Sequence, residues 1–250
     1  MLSILRARIR QKYRTVRYPD GDPVLPDRFH GVPEISAACT PSCKACEAIC
    51  PTGAIKHTGD SASIDCGRCT FCGACERECP VHAVTFTRGW KLAGRTREGL
   101  VVSREKSIRM EAMGRELRRL LGRSLRLRQV SAGGCNACEA DLNVLGTVVF
   151  DLARFGIQFV ASPRHADGIV VTGPVTRNMK LALKKTYDAI PDPRIVIASG
   201  ACAISGGIYA DRPETLNGAA SVVPVDLFVP GCPPHPYTFL DGVLRLLGRI

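Results

Sequence analysis

Thirteen cysteines stand in a chain of 250 residues, and twelve of them fall into patterns able to hold metal. The clearest run is Cys69-Thr70-Phe71-Cys72-Gly73-Ala74-Cys75-Glu76-Arg77-Glu78-Cys79-Pro80, which reads C-x2-C-x2-C-x3-C-P. Three thiolates at that spacing can hold three irons of one four-iron cubane, while the fourth reaches a neighbouring cubane across the turn made by proline. Cys39-x3-Cys43-x2-Cys46-x3-Cys50-Pro51 repeats the run with one extra residue between its first two cysteines. The tails Cys50-Pro51-Thr52-Gly53-Ala54-Ile55 and Cys79-Pro80-Val81-His82-Ala83-Val84 match as well, so the two halves form an internal repeat. Crossed ligation predicts one cluster on Cys39, Cys43, Cys46 and Cys79, and another on Cys69, Cys72, Cys75 and Cys50. Cys39 is the least regular of the eight. Cys66 fits neither pattern and reads as a spare buried thiol, or as the rival of Cys39 for the first cluster.

The other four cysteines lie downstream. Residues 131–142, Ser-Ala-Gly-Gly-Cys-Asn-Ala-Cys-Glu-Ala-Asp-Leu, place Cys135 and Cys138 at a Gly-rich junction. A strand-like run (Leu125–Val130) precedes it and a helix-like run (Leu142–Phe155) follows. Two cysteines supply half of a four-ligand centre, and Cys202 and Cys232, each in a Gly-bearing loop, are the candidates for the rest. These four are read as the ligands of a third cluster, with Gly133, Gly134, Gly200 and Gly231 letting backbone N–H groups approach its sulfurs. Three 4Fe-4S clusters would use twelve thiolates and leave Cys66 over. His57 and His82 each follow a Cys-Pro unit and read as surface-loop residues. Trp90, the single tryptophan, reads as packing at a domain edge.

These ligands need elements to hold them. Strand-like runs at Leu125–Val130, Ile157–Ala161, Gly168–Thr172, Arg194–Ser199 and Val222–Val229 alternate with helical patterns over 139–155, 176–189 and 235–248. That alternation implies a mainly parallel sheet flanked by helices, with the loops after the strands' carboxyl ends meeting on one rim. Upstream, Ile108, Met113, Leu117, Leu120 and Leu121 suggest a helix over 104–122. The expected division is a basic amphipathic arm and tether (1–36), a two-cluster domain (37–90), a basic helical connector (91–124) and an α/β domain (125–250).

An odd cysteine count grouped as CxxC units, with no secretory signal, points to metal ligation in a reducing compartment and not to disulfides. No run approaches eighteen consecutive apolar residues, so no segment is expected to span a membrane. The net charge is +11, and it is unevenly spread. Arg6, Arg8, Arg10, Lys12, Arg14 and Arg17 precede the first acid, Asp20, and between Arg88 and Arg128 thirteen Lys and Arg face four Glu. Aromatic residues are scarce and no nucleic-acid-binding motif is recognisable, so nucleic acid is not an expected partner. Leu2, Leu5, Ile9 and Tyr13 share one helical face among these cations, so residues 2–13 suit an anionic membrane surface or the groove of a partner. Tyr18–Pro33, rich in Pro, Gly and Asp, reads as an extended tether across a surface. The chain has no Ser/His/Asp set, P-loop or GxGxxG fingerprint, so an autonomous active site is not expected.

The C-x2-C-x2-C-x3-C-P run is the bacterial ferredoxin signature, and a wider resemblance covers most of the chain. Cys135-Asn136-Ala137-Cys138-Glu139, 172–178 (TGPVTRN), 200–207 (GACAISGG) and Pro230-Gly231-Cys232-Pro233-Pro234 resemble the small cluster-bearing subunit shared by complex I and membrane-bound NiFe hydrogenases of the formate hydrogenlyase type. Residues 1–90, with Arg17-Tyr18-Pro19 and the twin motif, resemble the adjoining two-cluster ferredoxin subunit. The resemblance implies an α/β protein: a two-cluster bacterial ferredoxin-like (α+β) domain fused to a flavodoxin-like parallel-sheet domain. It also implies an electron relay with three 4Fe-4S clusters, serving a NiFe-type site in a separate large subunit. Other hydrophilic-arm and membrane-arm subunits are implied partners, and the cytoplasmic face of the cell membrane the implied location.

Complex I small subunits carry two adjacent cysteines, whereas the hydrogenase branch spaces them as CxxC, as at Cys135 and Cys138. Where that branch usually has Gly before the second cysteine, this chain has Ala137. A nickel-free relative, a quinone-reducing complex I-like relay and a zinc-binding adaptor are the alternatives. Glu139 is a candidate proton relay beside the third cluster, or simply an acid favoured in the first turn of a helix.

Overall fold

The computed structural model describes residues 2–40, 42–58, 61–108, 112–121 and 123–250. The chain opens with helix α1 (Leu2–Gln11), which buries none of its residues. Leu2, Ile4, Leu5, Ile9 and Tyr13 are all exposed. The arm then runs onto the C-terminal half of the molecule. Thr15 Oγ1 donates to the Val148 carbonyl at 2.8 Å and the Val16 N–H to that of Val149 at 2.8 Å. Arg154 holds the carbonyls of Val16 and Tyr18 at 2.7 and 2.9 Å.

Tyr18 and Leu25 are buried, so the tether is a packed strap. The Tyr18 hydroxyl donates to Asp241 at 2.6 Å, and Arg245 grips the same carboxylate at 2.9 and 3.0 Å. Tyr18→Phe leaves that buried acid one donor short. It is expected to lower stability by about 1–3 kcal/mol in a denaturation midpoint. Burial, then the bond to Asp241, raises the Tyr18 pKa above the ordinary tyrosine value. Its contribution is therefore complete below about pH 10 and is lost as the pH rises beyond it, a component of the alkaline slope that the Phe variant should lack.

The Cys-rich half is built from two similar units. Strand β1 (Pro33–Ile35) leads to helix α2 (Ala45–Ile49) and to the hairpin β2 (Ile55–Thr58) and β3 (Ser61–Asp65). Helix α3 (Ala74–Arg77) leads to β4 (Val84–Phe86), which returns antiparallel to β1. Strand β5 (Val101–Ser103) adds to β3, making a three-stranded sheet. Between these units, Gly94 exchanges backbone bonds of 3.0 and 2.8 Å with Phe228 and so joins the edge of the second sheet.

Of the helix anticipated over 104–122, the described residues form only α4 (Arg115–Leu121); residues 109–111 and 122 lie outside the described residues. Ile108 packs with Cys66, Leu92 and Val102, whereas Met113 belongs to the large core beneath α8.

The C-terminal half holds five strands: β6 (Leu125–Ser131), β7 (Ile157–Phe159), β8 (Gly168–Thr172), β9 (Ile195–Ser199) and β10 (Leu227–Val229). All are parallel, in the order β10-β9-β8-β6-β7. Counted from β6, that order is the 2-1-3-4-5 of flavodoxin-like sheets. Every residue of β8, β9 and β10 is buried, as expected for strands covered on both faces. Helices α5 (Ala137–Val144), α6 (Arg177–Asp188), α7 (Ala201–Ser205) and α8 (Pro236–Leu246) flank the sheet. Phe239 of α8 is 1% exposed, a burial worth about 1.5–3 kcal/mol.

Two expected elements are shorter than their patterns. The helix read over 142–155 ends with α5, because Gly146 and the β-branched Thr147, Val148 and Val149 are poor helix formers and the N-terminal strap takes the 148 and 149 carbonyls. The strand read over 222–229 is reduced to β10, since Pro224 has no N–H for a sheet ladder.

Candidate metal centres

The first two cysteine runs exchange their last members. Cys46, in α2, has its pKa raised by burial and then by Cys39 and Cys79 beside it. Cys69 is pushed up to about 12 by burial, with Cys75, Cys50 and Cys72 as its neighbouring thiols. Cys75 is pushed up to about 11, again by burial first and then by Cys50, Cys46 and Cys72. Cys50 thus stands with the second run and Cys79 with the first. Cys50, Cys69, Cys72 and Cys75 together line one narrow cavity, walled by Ile55 and Ile64. The backbone of Cys43 bonds to Thr40 at 3.2 Å; Pro41, within the irregular spacing, lies outside the described residues.

The repeat extends to single atoms. The Ala54 N–H points at Cys50 Sγ and the Ala83 N–H at Cys79 Sγ, each at 3.2 Å and each four residues on. The third residue after each of these cysteines is left-handed, Gly53 at φ 58° and His82 at φ 48°. Burial pushes the Cys79 thiol up, but the N–H groups of Val84, Ala83, Val81 and His82 outweigh it and bring the pKa below the ordinary value.

Cys66 stands apart. It is fully buried among Leu92 and Val102, and its thiol is raised by burial, then by Cys69 and Asp65. On the expectation of three 4Fe-4S clusters, Cys66→Ser should keep the parent's iron content, about twelve atoms per chain; a clear loss in a colorimetric iron assay would make it a ligand. His82 is exposed, but His57 is no surface-loop residue. It lies in β2 with only 5% of its side chain exposed, Nδ1 being 3.2 Å from Glu47. Trp90 is half-buried and packs against the large core.

The third group forms on the rim of the parallel sheet. Cys135 and Cys138 follow β6, Cys202 opens α7 after β9, and Cys232 follows β10. Asn136 turns the first loop with a left-handed φ of 71°, which lets α5 begin at Ala137. Burial, then Glu139, Cys202, Cys232 and Cys135, raises the Cys138 thiol strongly. Cys202 is pushed up to about 11 by burial, with Cys232 and Cys135 next to it. Gly200, at φ 94°, is in contact with this group: a Cβ there would lie 2.6 Å from Cys138 Sγ. Cys135 and Cys232 are exposed, so one side of the group is open to a neighbouring protein.

Two further neighbours link the groups. Cys46 of the first and Cys75 of the second share one buried cluster, and Cys232 of the third lines a pocket with Thr70 and Phe71 of the second run. The Cys-rich half is also docked on the sheet by Ser205 Oγ, which donates to the Gly67 carbonyl at 3.0 Å.

Glu139 is buried in the first turn of α5 and accepts from Thr172 Oγ1 at 2.6 Å. Burial pushes its pKa up, but hydrogen bonds from Ser131 and Thr172 and its own N–H prevail, and the net shift is downward. Ser131 and Thr172 were not singled out by sequence reasoning. The available signal was a hydroxyl at the carboxyl end of the wholly buried β8.

Burial among other thiols disfavours the thiolate at these positions, a cost that a bound metal centre would offset. A tetrahedral zinc would draw four sulfurs to about 3.8 Å of one another. Cys50, Cys69, Cys72 and Cys75 instead line a cavity, as a larger centre would need. All-thiol donor sets with N–H groups aimed at the sulfurs fit iron–sulfur clusters.

Residues 135–246 match the family described as NADH ubiquinone oxidoreductase, 20 Kd subunit. The chain is 42% identical over 142 residues to the probable membrane-bound hydrogenase subunit mbhJ of Pyrococcus furiosus, covering 57% of this chain and 85% of that one. It belongs to the 20 Kd subunit family. Formate hydrogenlyase subunit 7 of Escherichia coli is 40% identical over 159 residues, 64% of this chain and 62% of that protein. An NADH-quinone oxidoreductase subunit of Bacteroides thetaiotaomicron is 42% identical over 116 residues, 46% and 59% of the two chains. The chain spans less than two thirds of the last two. As a 20 Kd subunit family member it is a subunit-type oxidoreductase protein, related to both hydrogenase and complex I subunits. The matched region begins at Cys135 and takes in Cys138, Cys202 and Cys232, but not the Cys-rich half. No helix among the described residues is long and apolar enough to cross a membrane.

Proposed function

We propose that this chain is the electron-relay subunit of a membrane-associated hydrogenase complex of the formate hydrogenlyase type. It would hold three 4Fe-4S clusters between a redox partner at its N-terminal, ferredoxin-like domain (37–90) and a NiFe-type site in a separate large subunit. Bound 4Fe-4S clusters supply one-electron carriers. The chain's own residues hold and space them. Cys39, Cys43, Cys46 and Cys79 take the first, Cys69, Cys72, Cys75 and Cys50 the second, and Cys135, Cys138, Cys202 and Cys232 the third. The N–H groups of Ala54, Phe71 and Ala83, at 3.2–3.3 Å from their sulfurs, favour extra negative charge there. The exposed rim at Cys135 and Cys232 is where the large subunit would dock, with Glu139 able to pass a proton toward it.

The observation that carries this reading is that the loops of Cys138, Gly200 and Gly231–Cys232 meet on the rim, and that Cys232 lines one pocket with Thr70 and Phe71 of the second cysteine run. This juxtaposition supports a series in which the twin-motif groups lead to the rim. The CxxC spacing of Cys135 and Cys138 favours the hydrogenase branch over the complex I-like one. Helix α1, basic and with its apolar residues exposed, suits contact with the cytoplasmic face of the membrane.

The purified holo-complex, supplied with a low-potential donor, tests this. Hydrogen evolution without quinone reduction is expected. Quinone reduction without hydrogen evolution would replace the proposal with the complex I-like reading, and zinc in place of iron would end both.

A further inference from the structure

A cleft at the C-terminal end of α8 is walled by Arg115, Arg118, Arg119 and Arg123 on one side and by Gly248 and Arg249 on the other. None of the ion pairs among the described residues uses the first four. Arg118 Nε is buried, with no hydrogen-bond partner among the described residues. Gly248 has φ 65°, and a Cβ there would lie 2.7 Å from Arg118 Cδ; glycine lets the Arg118 side chain lie along the cleft. The carbonyl end of α8 offers roughly half a negative charge, far too little to balance these guanidinium groups. Among the described residues, no carboxylate pairs with Arg115, Arg118, Arg119 or Arg123.

We propose that this cleft binds a phosphate group, supplied by the headgroup of an anionic phospholipid. A phosphate offers several acceptor oxygens that planar guanidinium groups can grip in pairs, which suits several arginines around one open cleft. The lipid source rests on the reading that α1 lies on a membrane surface, and the structure links the two features. Arg249 donates to the Phe155 carbonyl, and the adjacent Arg154 holds Val16 and Tyr18, where the strap leads back to α1.

The test uses the anaerobically purified full chain and two double variants, R118Q/R123Q in the cleft and L5E/I9E on α1. Sedimentation with phosphatidylglycerol–phosphatidylcholine vesicles is expected to weaken roughly tenfold or more for R118Q/R123Q, with R118K/R123K falling between it and the parent. Vesicles of phosphatidylcholine alone should bind neither cleft variant nor parent appreciably. Inorganic phosphate should raise the melting temperature of the parent and of L5E/I9E, but not of R118Q/R123Q. L5E/I9E binding vesicles as the parent does, with the phosphate effect kept, would count against membrane contact by α1 and leave the cleft standing. Phosphate stabilisation that depends on the arginines, with unchanged vesicle binding, would support the site and make free phosphate its source. The proposal is overturned if R118Q/R123Q matches the parent in both assays. It is equally overturned if polyglutamate binds the cleft and phosphate does not, since that outcome marks an acidic protein segment as the occupant.

Discussion

Gly200→Ala is expected to remove the Cys135/Cys138/Cys202/Cys232 centre and leave the other two intact. Position 200 combines a φ of 94°, which L-residues rarely adopt, with a Cβ site 2.6 Å from Cys138 Sγ. The backbone cannot retreat easily, because the Gly200 N–H bonds to Val229 and the Ala201 N–H to Gly231, tying this loop to the one bearing Cys232. The clash therefore falls on a ligand sulfur. Iron should drop from about twelve to about eight atoms per chain, with the visible absorption of the remaining clusters preserved. Electron delivery to the large subunit should fall to background. A Gly200→Ala chain with full iron and normal turnover would mean that Cys138 is not held where a cluster needs it.

Cys50→Ser is expected to damage the centre that contains Cys69, Cys72 and Cys75, not the one beside it in sequence. The reason is crossed placement: Cys50 is a neighbour of Cys69 and Cys75, and it shares their cavity. Iron content under double substitution separates the alternatives, since defects in one centre do not add whereas defects in separate centres do. Cys50→Ser with Cys72→Ser should cost about four irons, no more than either alone, while Cys50→Ser with Cys43→Ser should cost about eight. The reverse pattern would show each run serving its own cluster. In the proposed series, Cys50→Ser should also interrupt delivery to the rim while leaving the third centre reducible by a small chemical donor.

Much of this architecture was legible because its signals are local. The repeat between Cys50–Ile55 and Cys79–Val84 reappears as matching N–H···S bonds from Ala54 and Ala83, since the offset of four residues is encoded in the chain itself. The apolar runs of β8 and β9 announce strands buried on both faces. Less was legible where distant segments compete for a group. Nothing in the 142–155 pattern reveals that the Val148 and Val149 carbonyls are taken by Thr15 and Val16. His57 follows a Cys-Pro unit just as His82 does, yet pairing with Glu47 from α2 turns it inward.

The sequence alone determined the donor chemistry, the twofold character of the Cys-rich half and the βα alternation that brings three loops to one rim. These depend on residue type and on spacing within a few turns of chain. The tertiary structure decided which groups stand next to one another: Cys46 by Cys75, Cys232 by Thr70 and Phe71, Tyr18 by Asp241 and five arginines around the end of α8. Each of these meetings joins segments whose approach is set by how the two halves and the strap pack together, and no local period records that packing.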